Sequence, residues 1–334
     1  MRSLIGALLV SLFVLSTTAD EVTKTFHFDN PDVVSTGEYH MVQFKGCLNT
    51  GHIGEPALPW YAVKLLLPPG EKAVSFNVNG SNLTDIPGKY TLYPQQASRP
   101  VSMGESGDFL MKQDIYSSGD NYPMEPHGTI STAYMNGHSI AMLNICPLIY
   151  NPAGGSLSYF TEMAVTVTTE SDSRSSDALR MLKGTEVVRS RLNSFVQNPG
   201  MVKHYVYSDA KSDDYQLLII TPQAYENEFE QLTDVYLTRG LHSEVVRVEE
   251  IDTAMSGQDL QEKIRNYIIQ EYQAYSIEFV LLGGDIEHVP YRGFYCYVQS
   301  GSGYTDNDIP ADLYYNALDG TWNDDGDNSW GEIG

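Results

Sequence analysis

Two stretches constrain the fold more than any other feature: "YQLLIIT" at residues 215–221 and "IEFVLLGGD" at residues 277–285. Each contains a short apolar run without alternation, the pattern of a strand buried on both faces. Helical periodicity lies between them. Tyr225, Phe229, Leu232 and Tyr236 recur at helical spacing behind Thr221 and Pro222, which read as N-cap and first helical residue, and Gly240 closes the helix. "HSEVVRVEEI" (residues 242–251) reads as a second strand. Ser256 and Asp259 make a capping-box-like start to another helix, whose apolar stripe is Leu260, Ile264, Tyr267, Ile268 and Tyr272. Three strands joined by two crossover helices fit one parallel sheet with right-handed connections. Residues 215–334 are therefore expected to form the beginning of an α/β domain, not a whole one.

The chain before this point has another texture. Residues 20–172 read as a β-rich domain, an antiparallel sandwich of short strands. "KAVSFNVNG" and "LSYFTEMAVTVTTE" alternate apolar and polar residues. In the second, Met163, Val165 and Val167 face one way, and Thr166 and Thr168 the other. "LLPPG", "IPGKY" and "NPAGG" supply turns. His27, His40, His52, His127 and His138 are scattered and read as surface or core residues rather than ligands. Residues 173–214 read as a polar, exposed linker, with one short helix in "TEVVRSRLNSFVQNPG" ended by Pro199 and Gly200. Arg174, Arg180, Lys183, Arg189, Arg191, Lys203 and Lys211 fall in this stretch, so it is also the expected region of proteolytic cleavage.

The first nineteen residues have the order of a secretory leader: Arg2, an apolar run from Leu4 to Leu15, then small residues at Thr17 and Ala19. Export with removal of residues 1–19 is expected, placing the mature protein outside the cell or on its surface. No later run is long enough to span a bilayer. A formal net charge of −23 disfavours nucleic acid and anionic lipid as partners, because a basic footprint is what holds phosphate. The three cysteines, Cys47, Cys146 and Cys296, form no CxxC or Cys/His cluster, which argues against zinc and against a disulfide framework.

Three places hold residue types capable of chemistry. Gly283-Gly284-Asp285 sits at the carboxyl end of an expected parallel strand, where open α/β sheets place their sites. No helix start follows it, so a turn with Asp285 bonding local amides is the better reading than a phosphate site. His288 and Cys296 would need a tight fold-back to make a dyad, and "GFYCYVQ" around Cys296 suits a buried thiol. The third place is "DGTWNDDGDNSWGEIG" at residues 319–334. With Gly326 at the sixth position of a calcium-type loop, Asn323, Asp325, Asp327, Ser329 and Glu332 take ligand positions. Thr321 stands where the first ligand should be, with Asp319 near enough to reach in. The flanking "DLYYNALDG" reads as strand-like rather than helical. A structural Ca²⁺ held by Asp319, Asn323, Asp325, Asp327 and Glu332 is expected, the alternative being a solvated acidic turn. No nucleophile or base accompanies the loop, so no catalytic residue is assigned.

Together these stretches resemble a known family. "GEPALPWYAVKLLLPPGEKAVSFNV" (residues 54–78) resembles the propeptide of gingipain-type cysteine peptidases. "YQLLIITPQAYENEFEQLTDVYLTRGLHSEVVRVEEI", "IEFVLLGGDIEHVPY" and "IPADLYYNALDGTWNDDGDNSWGE" resemble the start of their catalytic domain. The resemblance implies a secreted endopeptidase precursor with a caspase-like α/β fold, often steadied by calcium. Its β-rich propeptide would block its own catalytic domain until cleaved, and its substrates would be proteins or peptides. It also implies a catalytic His in a "GHG"-like turn and a Cys after the next strand. Neither motif occurs here, so the dyad is expected downstream of residue 334 and the chain alone should be inactive. The rivals are a secreted, calcium-stabilised, non-catalytic binding or surface module, and an α/β enzyme using the Gly283–Asp285 turn.

Overall fold

The structure is a computed structural model describing residues 20–97, 108–207, 215–275, 277–298 and 303–332. The expected leader lies outside the described residues, as does Lys211.

The N-terminal half of the chain is built from strands. These are β1 (Asp20–His27), β2 (Asp32–Thr36), β3 (Tyr39–Gln43), β4 (Cys47–Thr50), β5 (Leu58–Leu66) and β6 (Glu71–Ile86). The one-turn helix α1 (Gln113–Tyr116) precedes β7 (Ser131–Met135), β8 (His138–Ile145), β9 (Leu148–Asn151) and β10 (Ser156–Ser171). One antiparallel sheet runs β1–β10–β6, with β9 also on β10; a second runs β4–β5–β8–β7; β2 and β3 form a separate hairpin. The long strand β10 shows why the sheets face each other. Met163, Val165 and Val167 alternate inward and are fully buried. Leu65, Ala141, Leu143 and Ile145 from the second sheet share their core. Each such side chain contributes about 1.5–3 kcal/mol by leaving water.

Residues 173–207 differ from the exposed linker expected of them. They form α2 (Ser173–Ala178) and α3 (Glu186–Phe195), with short 3₁₀ turns at Leu179–Met181 and Pro199–His204. Asp172 caps α2 by accepting from the Ser175 amide at 3.0 Å, and Thr185 caps α3 through the Val188 amide at 3.3 Å. Val188 and Leu192, one turn apart, turn the same face inward. Leu192, Val196 and Tyr205 pack with Leu66 and Ile140 in a second small core. Asn198 brackets Leu66, accepting from its amide at 2.7 Å and donating to its carbonyl at 2.9 Å. Polar composition hid this stripe because only a few apolar residues carry it. Helix α3 ends at Phe195, and Pro199 begins the following 3₁₀ turn rather than stopping the helix.

The remainder is α/β. It comprises β11 (Leu217–Thr221), α4 (Glu226–Leu237), β12 (Ser243–Arg247), α5 (Val248–Ala254), α6 (Leu260–Ala274) and β13 (Phe279–Leu282). A hairpin of β14 (Arg292–Val298) and β15 (Tyr304–Ala311) follows, then the single turn α7 (Leu313–Asn316). The parallel order β12–β11–β13 puts the most apolar strand in the centre: all five residues of β11 are buried. Three local expectations are corrected. Thr221 stays in the strand, its hydroxyl donating to the Gly283 carbonyl at 2.7 Å, so it caps no helix. The second strand stops at Arg247, because Val248 and Ile251 turn one face inward at helical spacing. The N-cap of α6 is Asp259, which accepts from the Glu262 amide at 2.9 Å, while Glu262 reaches back to the Gln258 amide at 2.7 Å. Ser256 has no part in that box.

Candidate functional site

The acidic loop stands on an apolar and cationic base. Arg265, on α6 and only 6% exposed, is its first support. Its guanidinium donates to the carbonyls of Tyr314 at 2.9 Å, Ala317 at 2.9 Å, Gly320 at 3.1 Å and Asp319 at 3.4 Å. One buried cation thus collects the carbonyls that end α7 and enter the loop. Arg292 is the second support. It makes a two-pronged ion pair with Asp259 at 2.9 and 2.7 Å and lies over the rings of Trp330 (4.1 Å) and Tyr314 (4.7 Å). Between these anchors the loop closes on itself, the Gly331 amide donating to the Trp322 carbonyl at 2.8 Å. Trp322 adopts a φ of 65°, and its indole donates to the Ala317 carbonyl at 3.1 Å. "DLYYNALDG" forms the turn α7 and a loop, not the strand expected of it.

On this base Asp325, Asp327 and Glu332 come together, each offering an oxygen within 4.8 Å of the others. All three side chains are exposed. Gly326 supplies the turn between the first two with a φ of 74°. Asn323 donates its side-chain amide to the Asp327 carbonyl at 2.7 Å. That leaves its Oδ1 buried with no hydrogen-bond partner among the described residues. A cluster of carboxylates with an orphaned amide oxygen nearby is an oxygen-only donor set, which fits a hard cation and not zinc or copper. Asp319 is not in the cluster; it contributes its backbone carbonyl to Arg265 instead. Thr321 bonds Asp324 at 3.1 Å and fills no ligand position.

The other two candidate places are structural. Asp285 accepts from the Ile286 amide at 2.7 Å through its side chain, and from the His288 amide at 2.8 Å through its carbonyl. Gly283 is required for packing, since a Cβ there would meet the Phe229 ring at 2.6 Å. His288 Nε2 pairs with the Tyr225 hydroxyl at 3.3 Å, whereas Cys296 sits in β14 beside Asp306 of β15. No hydrogen bond joins His288 to Cys296 among the described residues. Cys296 is also half-buried rather than buried, because the β14–β15 hairpin exposes one side to solvent. Burial pushes the Cys47 thiol up to about 11 and the Cys146 thiol higher still, which disfavours the nucleophilic thiolate at both.

A cavity of about 640 Å³ opens between the β-rich and α/β parts. Asn136, Lys183 and Arg191 line one side and Tyr272, Leu281 and Leu318 the other, with no Cys or His among the lining residues. The edge of β13 away from β11 fronts it and pairs with no other strand among the described residues. Sequence reasoning missed this meeting of the two parts. Asn136-Gly137 does carry a local signal, a two-residue hairpin turn with φ of 47° and 80° that joins paired Met135 and His138. What the turn touches could not be read from it.

The architecture defines a class: a β-rich domain with a helical extension, followed by a parallel-sheet α/β domain with an acidic loop. The propeptide model of family C25 matches residues 11–196, and the model described as peptidase family C25 matches residues 210–331. The first takes in α2 and α3, in keeping with their packing on the β-rich part. The chain belongs to the gingipain-type cysteine peptidases of family C25 and carries that family's propeptide. Gingipain R2 of Porphyromonas gingivalis (strain ATCC BAA-308 / W83) is 25% identical over 153 residues, which is 45% of this chain and 20% of that protein. The match thus spans about a fifth of that relative's length. A complex of the pro- and mature domains of RgpB from Porphyromonas gingivalis gives a TM-score of 0.42 at 19% identity, covering 56% of this chain and 96% of that one. A structure concerning zymogenic latency of gingipain K from the same species gives 0.37 at 20% identity, over 49% of this chain and 98% of that one. No helix among the described residues is long and apolar enough to cross a membrane.

Proposed function

We propose that these residues are the propeptide and the first part of the catalytic domain of an exported cysteine endopeptidase precursor, in which the propeptide restrains its own peptidase. The observation that carries this reading is the order of the two family matches in one chain, propeptide first and peptidase second. The charged leader at Met1–Ala19 supports export. The parallel order β12–β11–β13 supports a caspase-like sheet, and the free edge of β13 offers further strands a place to pair. The hydrolytic dyad is assigned to sequence outside these 334 residues: no "GHG"-like turn occurs in them, burial raises the Cys47 and Cys146 thiols, and no hydrogen bond joins Cys296 to an imidazole among the described residues. There, a thiolate activated by His would attack the substrate carbonyl and form an acyl-enzyme. The role of the chain's own residues is to build the sheet, hold the propeptide against it and present the acidic loop. That loop is proposed to hold one structural Ca²⁺ through Asp325, Asp327 and Glu332 with Asn323. Asp319 is left out of the ligand set, since its carboxylate does not join the cluster.

The test is the whole protein, produced with its leader. Hydrolysis of a mixed peptide library that depends on reductant, is abolished by iodoacetamide and appears only after the propeptide is cut supports the proposal. Hydrolysis that survives iodoacetamide, or that Cys296→Ala alone abolishes, overturns the assignment of the dyad.

A further inference from the structure

The β-rich part meets α6 through one compact contact. Lys183 donates to the carbonyls of Tyr275 at 2.8 Å and Gln273 at 3.3 Å, which are among the last carbonyls of that helix. Its ammonium also lies 5.2 Å from the centre of the Tyr272 ring. The Tyr272 hydroxyl donates to the Met181 carbonyl at 2.9 Å and accepts from the Asn136 side-chain amide at 3.2 Å. Both hydrogen-bonding capacities of that hydroxyl are therefore met by the propeptide. A cation at the end of a helix complements the negative end of its dipole.

The geometry points to this hook on the last turn of α6 as the surface that keeps the propeptide docked on its own peptidase domain once the connection between them is cut, and that sets its rate of release. The inference rests on the precursor reading above and adds where the two parts hold.

Two observations carry it. First, backbone packs closely against the hook. Gly137 lies so close beneath it that a Cβ there would stand 2.6 Å from the Leu182 amide nitrogen. Second, both ends of the connection are anchored separately. On the propeptide side, Tyr205 donates to the Leu67 carbonyl at 2.9 Å, and Tyr207 pairs with His138 Nε2 at 2.9 Å. On the other side, Tyr215 donates to the buried Glu271 of α6 at 2.6 Å. A cut between residues 207 and 215 breaks the covalent link and leaves every bond of the hook in place. The basic residues of the segment therefore divide into kinds. Lys183 grips α6, while Arg180 pairs at 3.1 Å with Asp177 of its own helical segment.

The experiment uses the whole precursor with residues 208–214 replaced by the recognition sequence of a site-specific endopeptidase. After cutting, release of the propeptide is followed by size exclusion. Lys183→Met is expected to speed release at least tenfold, and Tyr272→Phe comparably. Lys183→Arg, which keeps charge and donors, and Arg180→Met should stay within twofold of wild type. Raising salt should speed release of wild type but not of Lys183→Met, because a charge-assisted bond at a rim is screened. Thermal melts of the cut proteins check that both parts remain folded. Equal release from wild type and Lys183→Met with both parts folded overturns the proposal, as does failure of either to part in 1 M salt, on the order of a 3 Å screening length. Peptidase activity is scored separately. Hook-dependent release from a protein without thiol-dependent hydrolysis would overturn the precursor reading and leave the docking surface standing.

Discussion

Asp259 joins α6 to β14, so removing its carboxylate should cost more than an ordinary surface charge. The side chain caps α6 through the Glu262 amide and pairs twice with Arg292, which is only 4% exposed. In Asp259→Ala the lost cap costs about 1 kcal/mol. The unpaired guanidinium costs about 3–5 kcal/mol where burial is complete. A third of the Asp259 side chain is exposed (33%), so water enters the gap and the lower end applies. The sum is about 4 kcal/mol, against about 5–15 kcal/mol for a whole domain. Asp259→Asn keeps a capping oxygen and should cost about half as much. The double variant Asp259→Ala/Arg292→Met should recover much of the loss, because it leaves no buried charge alone. Urea unfolding followed by tryptophan fluorescence reads this directly, since Trp330 stacks on Arg292. Burial acts to raise the Asp259 carboxyl, but the Arg292 guanidinium and the Glu262 amide outweigh it and hold it low. The native state then binds fewer protons than the unfolded one. The pair's contribution is full above the unfolded value of about 3.9 and is lost as pH falls through the lower native value. A cost below about 1 kcal/mol for Asp259→Ala, or a double variant as unstable as the sum of its parts, would refute this reasoning.

Arg265→Met should cost about 2–4 kcal/mol in the same assay, since the buried Tyr314 carbonyl loses its donor while Gly320 can turn to water. Burial lowers the pKa of His138, so it charges more readily when unfolded; the propeptide should lose stability as pH falls below about 6.5, and His138→Gln should remove that slope in urea midpoints compared at pH about 7.5 and about 5.5. Ca²⁺ at about a hundredfold excess over its Kd should add about 2.7 kcal/mol in the whole protein, and Asp325→Ala/Asp327→Ala should abolish that gain. An unchanged Tm in chelator would leave the loop a solvated turn.

Local periodicity carried much of the architecture. The alternation of Met163, Val165 and Val167, the apolar run at Leu217–Thr221 and the stripe of α6 each show burial within a few residues, so strands, helices and the β-to-α/β change were legible. The spacing of Asp325 and Asp327 around Gly326 was legible for the same reason, because one turn brings them together, while Glu332 joins them where the Gly331–Trp322 bond closes the loop. Short elements were misread where two signals overlapped. Val248 and Ile251 continue the apolar character of β12 while belonging to α5. The helix α3 was legible, but its burial was not, because polar neighbours dilute its sparse stripe. Only the tertiary structure decided that Asp319 gives its carbonyl to Arg265, and that Asn136 and Lys183 both reach the end of α6. Asn136 and Tyr272 lie 136 positions apart. No pattern with a period of two or 3.6 residues spans that distance; their meeting depends on how the β-rich and α/β parts pack across the cavity between them.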